Sequence, residues 1–222
     1  MSGEEEVLKM ISGTWIMDGD LVEEKNLKRQ AFGPEDVGQK KAAVMAEILN
    51  DAFGLSWKAC GEYLTEAPRL KEIAEKCRAW GTGVVNVPLV VGCVDNHAAR
   101  LVCEKFFLSQ ENCMYFDAAN EFSAGEVVFS VRLGGRTLSP LRSEVFPEIR
   151  KKRHKAVTKM SCTELNAVAP QHIAANMNAG LILLSAVAGL LQEGRVPSGV
   201  ALFDAATMTC SRLGRDAGQK AS

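Results

Sequence analysis

The sequence lacks an excess of charge of either sign: 26 Lys and Arg stand against 27 Asp and Glu, for a formal net charge of -1. Attraction to nucleic acid or to an anionic membrane grows with the number of phosphates neutralised, so neither is expected as a partner. An anionic ligand would have to be met by local charge. A secretory leader is missing too, because the chain opens with MSGEEEVLKM, acidic before its first apolar residues, and this predicts cytoplasmic residence. Cys-x-x-Cys does not occur. The seven cysteines (Cys60, Cys77, Cys93, Cys103, Cys113, Cys162 and Cys210) are odd in number and scattered. That pattern excludes a disulfide framework or zinc knuckle and predicts that most are buried free thiols. His97, His154 and His172 have no metal-ligand spacing, and the chain has no internal repeat.

Apolar runs of membrane-spanning length are scarce. The one stretch that qualifies is IAANMNAGLILLSAVAGLL, residues 173–191, and Asn176 and Asn178 sit in its first half. With no second span and no basic flank, it reads as a buried small-residue helix rather than a membrane segment.

What is present is the composition of an ordinary globular chain: 222 residues, 47% hydrophobic and 24% charged, enough for a single domain over 1–222 with one sizeable core. Thr14 to Met17 is a short apolar run that ends in Asp18-Gly19-Asp20, a strand running into a polar turn. Helical spacing of Ala43, Val44, Met45, Ile48 and Leu49 predicts a helix over 36–52, with Asp36 as N-cap and Gly54 as the stop. A second helix is predicted over 66–79, then a continuous apolar strand over 84–94 of the kind buried on both faces of a parallel sheet. Helix-forming sequence from Asn96 to Phe107 is followed by two strands, CMYFDAAN and GEVVFSVRL. Residues 134–161, rich in Gly, Pro and basic side chains, form a candidate crossover loop before a long helix from Gln171 to Gln192, and VALFDAATMTCSRL reads as a closing strand or hairpin. Alternation of strand and helix predicts an α/β, Rossmann-like, mostly parallel sheet flanked by helices, with antiparallel strands toward the C-terminus.

Two strand ends carry acids. Asp18 at the end of the first strand can accept hydrogen bonds from ribose hydroxyls, or it can belong to a solvated turn with Arg29 on the surface. Asp95 ends the strand over 84–94, where open α/β sheets bind ligands, and its alternative role is a helix N-cap.

The order of motifs then becomes specific. Asp18-x-Asp-x-Val-x-x-x-Asn26-Leu-x-Arg29-Gln-x-Phe, Asp36-Val-Gly-x-x-Lys41-Ala, Val91-Gly-Cys-Val-Asp95-Asn96 with Arg100 beyond, and Phe116-Asp-Ala-Ala-Asn120 with Gly125-Glu-Val-Val all lie between residues 14 and 132. Together they resemble the ThiF/MoeB/HesA superfamily of ATP-dependent adenylating enzymes, which activate the C-terminal carboxylate of ubiquitin-like or sulfur-carrier proteins and are commonly dimeric. The resemblance implies ATP and Mg²⁺ as cofactors. It implies that Asp18 holds the ribose, that Asn26 and Arg29 hold the phosphates, and that Lys41, rather than its neighbour Lys40, reaches the α- and β-phosphates. Asp95 would bind Mg²⁺ with Asn96 beside it. A small ubiquitin-like or sulfur-carrier protein would be the partner, in a homo- or heterodimer. Some members also form a thioester on cysteine, and Cys162 in MSCTEL, near the basic IRKKRHK run at 149–155, is the candidate here; its alternative is a core thiol.

One family feature is absent. A strand and a glycine-rich loop are expected about two dozen residues before Asp18, yet only seventeen residues precede it and Gly3 and Gly13 do not form that pattern. The sequence therefore predicts that the first strand, its glycine loop and most of the next helix are missing. A sheet without that strand leaves unpaired backbone groups to be met by re-pairing or by another chain, so a second expectation is a non-catalytic subunit that pairs with a complete homologue.

Overall fold

A computed structural model describes residues 13–27, 30–77, 87–151 and 173–213. The chain divides into two compact units, Met1–Asn86 and Val87–Ser222.

In the first unit, β1 (Trp15–Met17) pairs in parallel with β2 (Lys58–Cys60), in the register Trp15↔Lys58 to Met17↔Cys60. The crossover carries helix α1 (Lys41–Phe53), which packs on both strands through the buried Ala42, Val44 and Ala46. Helix α2 (Ala67–Cys77) follows, with Ala67 and Ile73 buried. Gly54 closes α1 at φ 64°, a left-handed cap that an L side chain resists, as its place after the apolar periodicity predicts. The start of α1 differs from the sequence expectation. Pro34–Asp36 forms a separate 3-10 turn in which Asp36 Oδ2 accepts from the Gly33 N–H at 2.7 Å, and Lys40 takes the N-cap position. The intervening chain turns through Gly38, at φ 89°, and pairs with an earlier segment: Val22 N–H donates to Gln39 C=O, Gly38 N–H to Val22 C=O and Lys41 N–H to Asp20 C=O. Those backbone bonds satisfy the same groups a longer helix would have used.

The second unit is built on a six-stranded sheet. Its strands are β3 (Leu89–Gly92), β4 (Cys113–Asn120), β5 (Ala124–Leu133), β6 (Arg136–Thr137), β7 (Gly199–Asp204) and β8 (Thr209–Leu213). Their order is β3-β4-β5-β7-β8, with β6 also on β5. β3 and β4 run parallel through helix α3 (His97–Ser109), while the pairings from β4 to β8 are antiparallel. The α/β fold class and the antiparallel C-terminal strands agree with the sequence. The candidate crossover loop, in its described part, contains β6, a short helix α4 (Arg142–Val145) and a 3-10 turn over Pro147–Arg150.

β4 is buried along most of its length because both its faces are covered. Side chains alternate across a strand, so Met114, Phe116 and Ala118 share one face and Cys113, Tyr115 and Asp117 the other. The first face packs with Val127, Phe129, Ala201 and Phe203 against Ala175, Ala179 and Leu183 of helix α5 (Ile173–Glu193). Phe116 and Phe129 meet edge to face, centroids 5.2 Å apart. Full burial of such side chains contributes about 1.5–3 kcal/mol each relative to exposure. The expectation of a buried small-residue helix holds for one stripe of α5, Ala175, Ala179, Leu183 and Gly189, while Ile173, Met177, Leu181 and Leu184 line an exposed apolar stripe. By length and composition this helix is long and apolar enough to cross a bilayer. Of the six described cysteines, all free thiols, Cys60, Cys103 and Cys113 are buried, Cys77 is half-buried and Cys93 and Cys210 are exposed.

Candidate functional site

In the first unit, β1 ends where the sequence places its acid. Asp18 N–H donates to Cys60 C=O at 3.1 Å, the last tie to β2, and Asp18 Oδ1 then accepts from Asp20 N–H at 2.8 Å. This Asx turn folds the Asp18-Gly19-Asp20 loop back on itself. The antiparallel contact of residues 20–22 with 38–41 carries both lysines to that loop: Lys40 Nζ donates to Gly19 C=O at 2.7 Å, and Lys41 Nζ to Asp20 Oδ2 at 2.9 Å. Tyr63 completes the arrangement by donating from its hydroxyl to Asp20 Oδ1 at 2.8 Å. Its ring lies against Gly19, where an added Cβ would fall 2.5 Å from the nearest ring carbon, so a side chain there would have to displace the Tyr63 ring.

The two lysines, which the sequence separates into one functional and one solvated, thus both reach the strand-end loop. Lys41, however, is already paired with Asp20. Asn26 is turned inward, 1% exposed, with Oδ1 accepting from Glu23 N–H at 2.9 Å to order the 3-10 turn over Glu24–Asn26. Arg29 lies outside the described residues. Asp20 and Tyr63 carry no signal in the sequence beyond the Asp-x-Asp spacing, since the Tyr63 contact spans 43 positions.

In the second unit, β3 stops at Gly92, and Asp95 follows it, exposed, just before α3. The N-cap of α3 is Asn96, whose Oδ1 accepts from Ala99 N–H at 2.8 Å. Asp95 is therefore not used as the cap. Asn96 Nδ2 lies 3.4 Å from Asp95 Oδ1. Beneath this turn sits a buried ion network. Arg100 places Nη1 at 3.3 and 3.4 Å from the Asp117 carboxylate oxygens, and Arg142 grips the same carboxylate through Nε while pairing with Glu126 Oε1 at 2.7 Å. Burial pushes the Asp117 carboxyl above its usual value, and Arg100 and Arg142 pull it back. Cys162 lies outside the described residues.

Among the described residues no group of three or more His, Cys, Asp or Glu is arranged to hold a metal. A single exposed carboxylate such as Asp95 still suits Mg²⁺ shared with a phosphate, because Mg²⁺ keeps several waters and takes one or two protein carboxylates.

Acid-bearing ends on β1 and β3, each the first strand of a β-α-β crossover, define a Rossmann-like α/β protein. The chain belongs to the ThiF family, whose model matches residues 11–220. Solved structures agree in fold. E. coli MccB with ATP superposes at TM-score 0.59 and 13% identity, covering 97% of this chain and 62% of that one. E. coli MccB with AMPCPP and MccA gives TM-score 0.59 and 13% identity over the same shares, 97% and 62%. PaaA gives TM-score 0.57 and 16% identity, over 89% of this chain and 62% of that one. The chain thus spans about three fifths of the length of these structures. No curated protein matches it.

Proposed function

We propose that this protein is an ATP-dependent adenylyltransferase that activates the C-terminal carboxylate of a small ubiquitin-like or sulfur-carrier protein. The observation that carries the reading is the delivery of two ammonium groups, Lys40 and Lys41, to the acidic loop at the carboxyl end of β1 in a chain of the ThiF family. It is supported by the likeness in fold to MccB, which has been crystallised with ATP and with AMPCPP and MccA.

The chemistry suits these residue types. A peptide carboxylate is ionised at neutral pH; one of its oxygens bonds to the α-phosphorus of ATP as the bond from that phosphorus to the bridging oxygen breaks, and pyrophosphate leaves with the electron pair. No general base is needed, so catalysis rests on alignment and charge neutralisation. Asp18 would accept from the ribose hydroxyls, Lys41 and Arg29 would neutralise phosphate oxygens, and Asn26 would donate to them from its side-chain amide. Asp95 would hold Mg²⁺ with Asn96 beside it, and the ion when bound would offset phosphate charge. In a later step the Cys162 thiolate would attack the carbonyl of the acyl-adenylate, forming a thioester as the acyl–phosphate bond breaks and AMP leaves.

ATP–pyrophosphate exchange with the carrier protein present tests this. Exchange that is lost in Lys41→Ala and in Asp95→Ala is the expected result, and absence of exchange with every carrier or added partner contradicts it. A second reading, a non-catalytic subunit that dimerises with a complete homologue, is favoured by the Lys41–Asp20 pair, which already neutralises the ammonium that ATP requires. That subunit would form a stable heterodimer and, alone, bind no ATP.

A further inference from the structure

We propose that Arg100 is a positioning residue that fixes the orientation of Asp95 by clamping the turn between β3 and α3 onto β4. The role of Asp95 toward Mg²⁺ rests on the function proposed above; the clamp itself rests on geometry.

The ladder between β3 and β4 ends at Gly92↔Asp117, so the backbone of residues 93–96 leaves the sheet just before the strand-end acid. Two side chains hold this departing segment. Asn96 caps α3 through Ala99 N–H. Arg100, 5% exposed on the first turn of that helix, reaches back: Nη2 donates to the Val94 carbonyl, one residue before Asp95, while Nη1 donates to the Ala118 carbonyl of β4 at 3.1 Å and to the Asp117 carboxylate. One planar guanidinium therefore ties the turn to the adjacent strand. A lysine, with all its donors on one nitrogen, cannot span both carbonyls in the same way.

The clamp is itself held. Asp117, fully buried, is shared with Arg142, whose Nη2 donates to the Asp117 carbonyl at 3.0 Å and whose Nη1 is fixed on Glu126. Gly92 is part of the fit, because a Cβ there would lie 2.9 Å from Asp117 Oδ1. Replacing buried ion networks with apolar side chains is often neutral for stability, so stability alone gives little reason for three charges at this place. Orientation of a carboxylate at a strand end does give one, since such groups act only when their backbone and second layer are fixed.

The test compares Arg100→Lys with the wild-type chain, with Arg100→Gln as the second variant should the first fail to fold. Amide hydrogen exchange is read residue by residue, and ATP binding is read by equilibrium dialysis in Mg²⁺ and in EDTA. The clamp predicts exchange at residues 95–99 faster by about tenfold, the loss of a hydrogen bond, with β4 and β5 unchanged. It also predicts ATP affinity in Mg²⁺ weakened by about 10- to 100-fold, as when a group behind a metal ligand is removed, with affinity in EDTA unaltered. Unchanged exchange at 95–99 overturns the proposal, and so does a uniform rise across the whole sheet, which would make Arg100 merely structural. Equal weakening of ATP in Mg²⁺ and EDTA also overturns it. If the wild-type chain binds no ATP at all, the proposed function fails and the exchange pattern alone decides the clamp.

Discussion

Charges at the end of β1 stay in touch with water, whereas those behind the end of β3 are sealed from it. The Lys41 and Asp20 side chains are 13% and 30% exposed, and Tyr63, which joins them, lies on the surface. Arg100, Asp117 and Arg142 are 5%, 0% and 3% exposed. A partly exposed pair costs less to separate than a buried one, so under the proposed function the first unit would release Lys41 from Asp20 to meet an anion. Buried charges are costly to separate, so the second unit holds the segment before Asp95 in a single arrangement. One strand end is built to be adjusted, the other to be fixed.

The largest effect that would sharpen this contrast comes from Asp117→Ala, which leaves two buried guanidiniums short of their shared partner. A loss of about 3–5 kcal/mol in urea unfolding is expected. Replacing Arg100, Asp117 and Arg142 together with apolar side chains is expected to cost far less, and equal costs for the two variants would show that packing rather than charge dominates. Next comes Gly54→Ala, which forces a Cβ into the left-handed cap of α1 at φ 64° and is expected to lose about 1 kcal/mol in the same measurement.

Asp20→Asn should matter less for stability, by no more than about 1 kcal/mol, because it breaks a partly exposed pair. It releases Lys41, so binding of ATP should tighten, as dialysis would register; weaker binding would mean that Asp20 helps to hold the ligand. The smallest effect, invisible to unfolding, is chemical. Burial pushes the Cys103 thiol up to about 12, so brief alkylation at neutral pH followed by mass spectrometry should label the exposed Cys210 and leave Cys103 unmodified.

Much of the fold was legible because it rests on local pattern. The periodicity of α1, the apolar run of β3, the strand segment CMYFDAAN and the Gly54 stop all depend on neighbours in the chain. Asp36 misled because a cap signal does not reveal that residues 38–41 pair with 20–22, a contact made only in the folded chain. The helix over Ile173–Glu193 misled in part because a predominantly apolar composition does not say which stripe meets the sheet.

Asp18 was legible from the end of its apolar run; Asp95 was legible as the acid after the next one, although β3 stops at Gly92, three residues before it, and is only partly buried rather than covered on both faces. Their surroundings were not: Asp20 meets Lys41 and Tyr63 across 21 and 43 positions, and Asp117 meets Arg142 from within the candidate crossover loop. Side chains joined over such distances leave no spacing to read. Arg100 appeared in the motif, but its grip on the Val94 carbonyl depends on its side chain reaching back past the start of the helix.

The most direct test of the central claim is equilibrium dialysis of labelled ATP with Mg²⁺ against the wild-type chain, Lys41→Ala and Asp95→Ala. The account predicts binding by the wild type and its loss in each variant while both remain folded. Undiminished binding by either folded variant would contradict it.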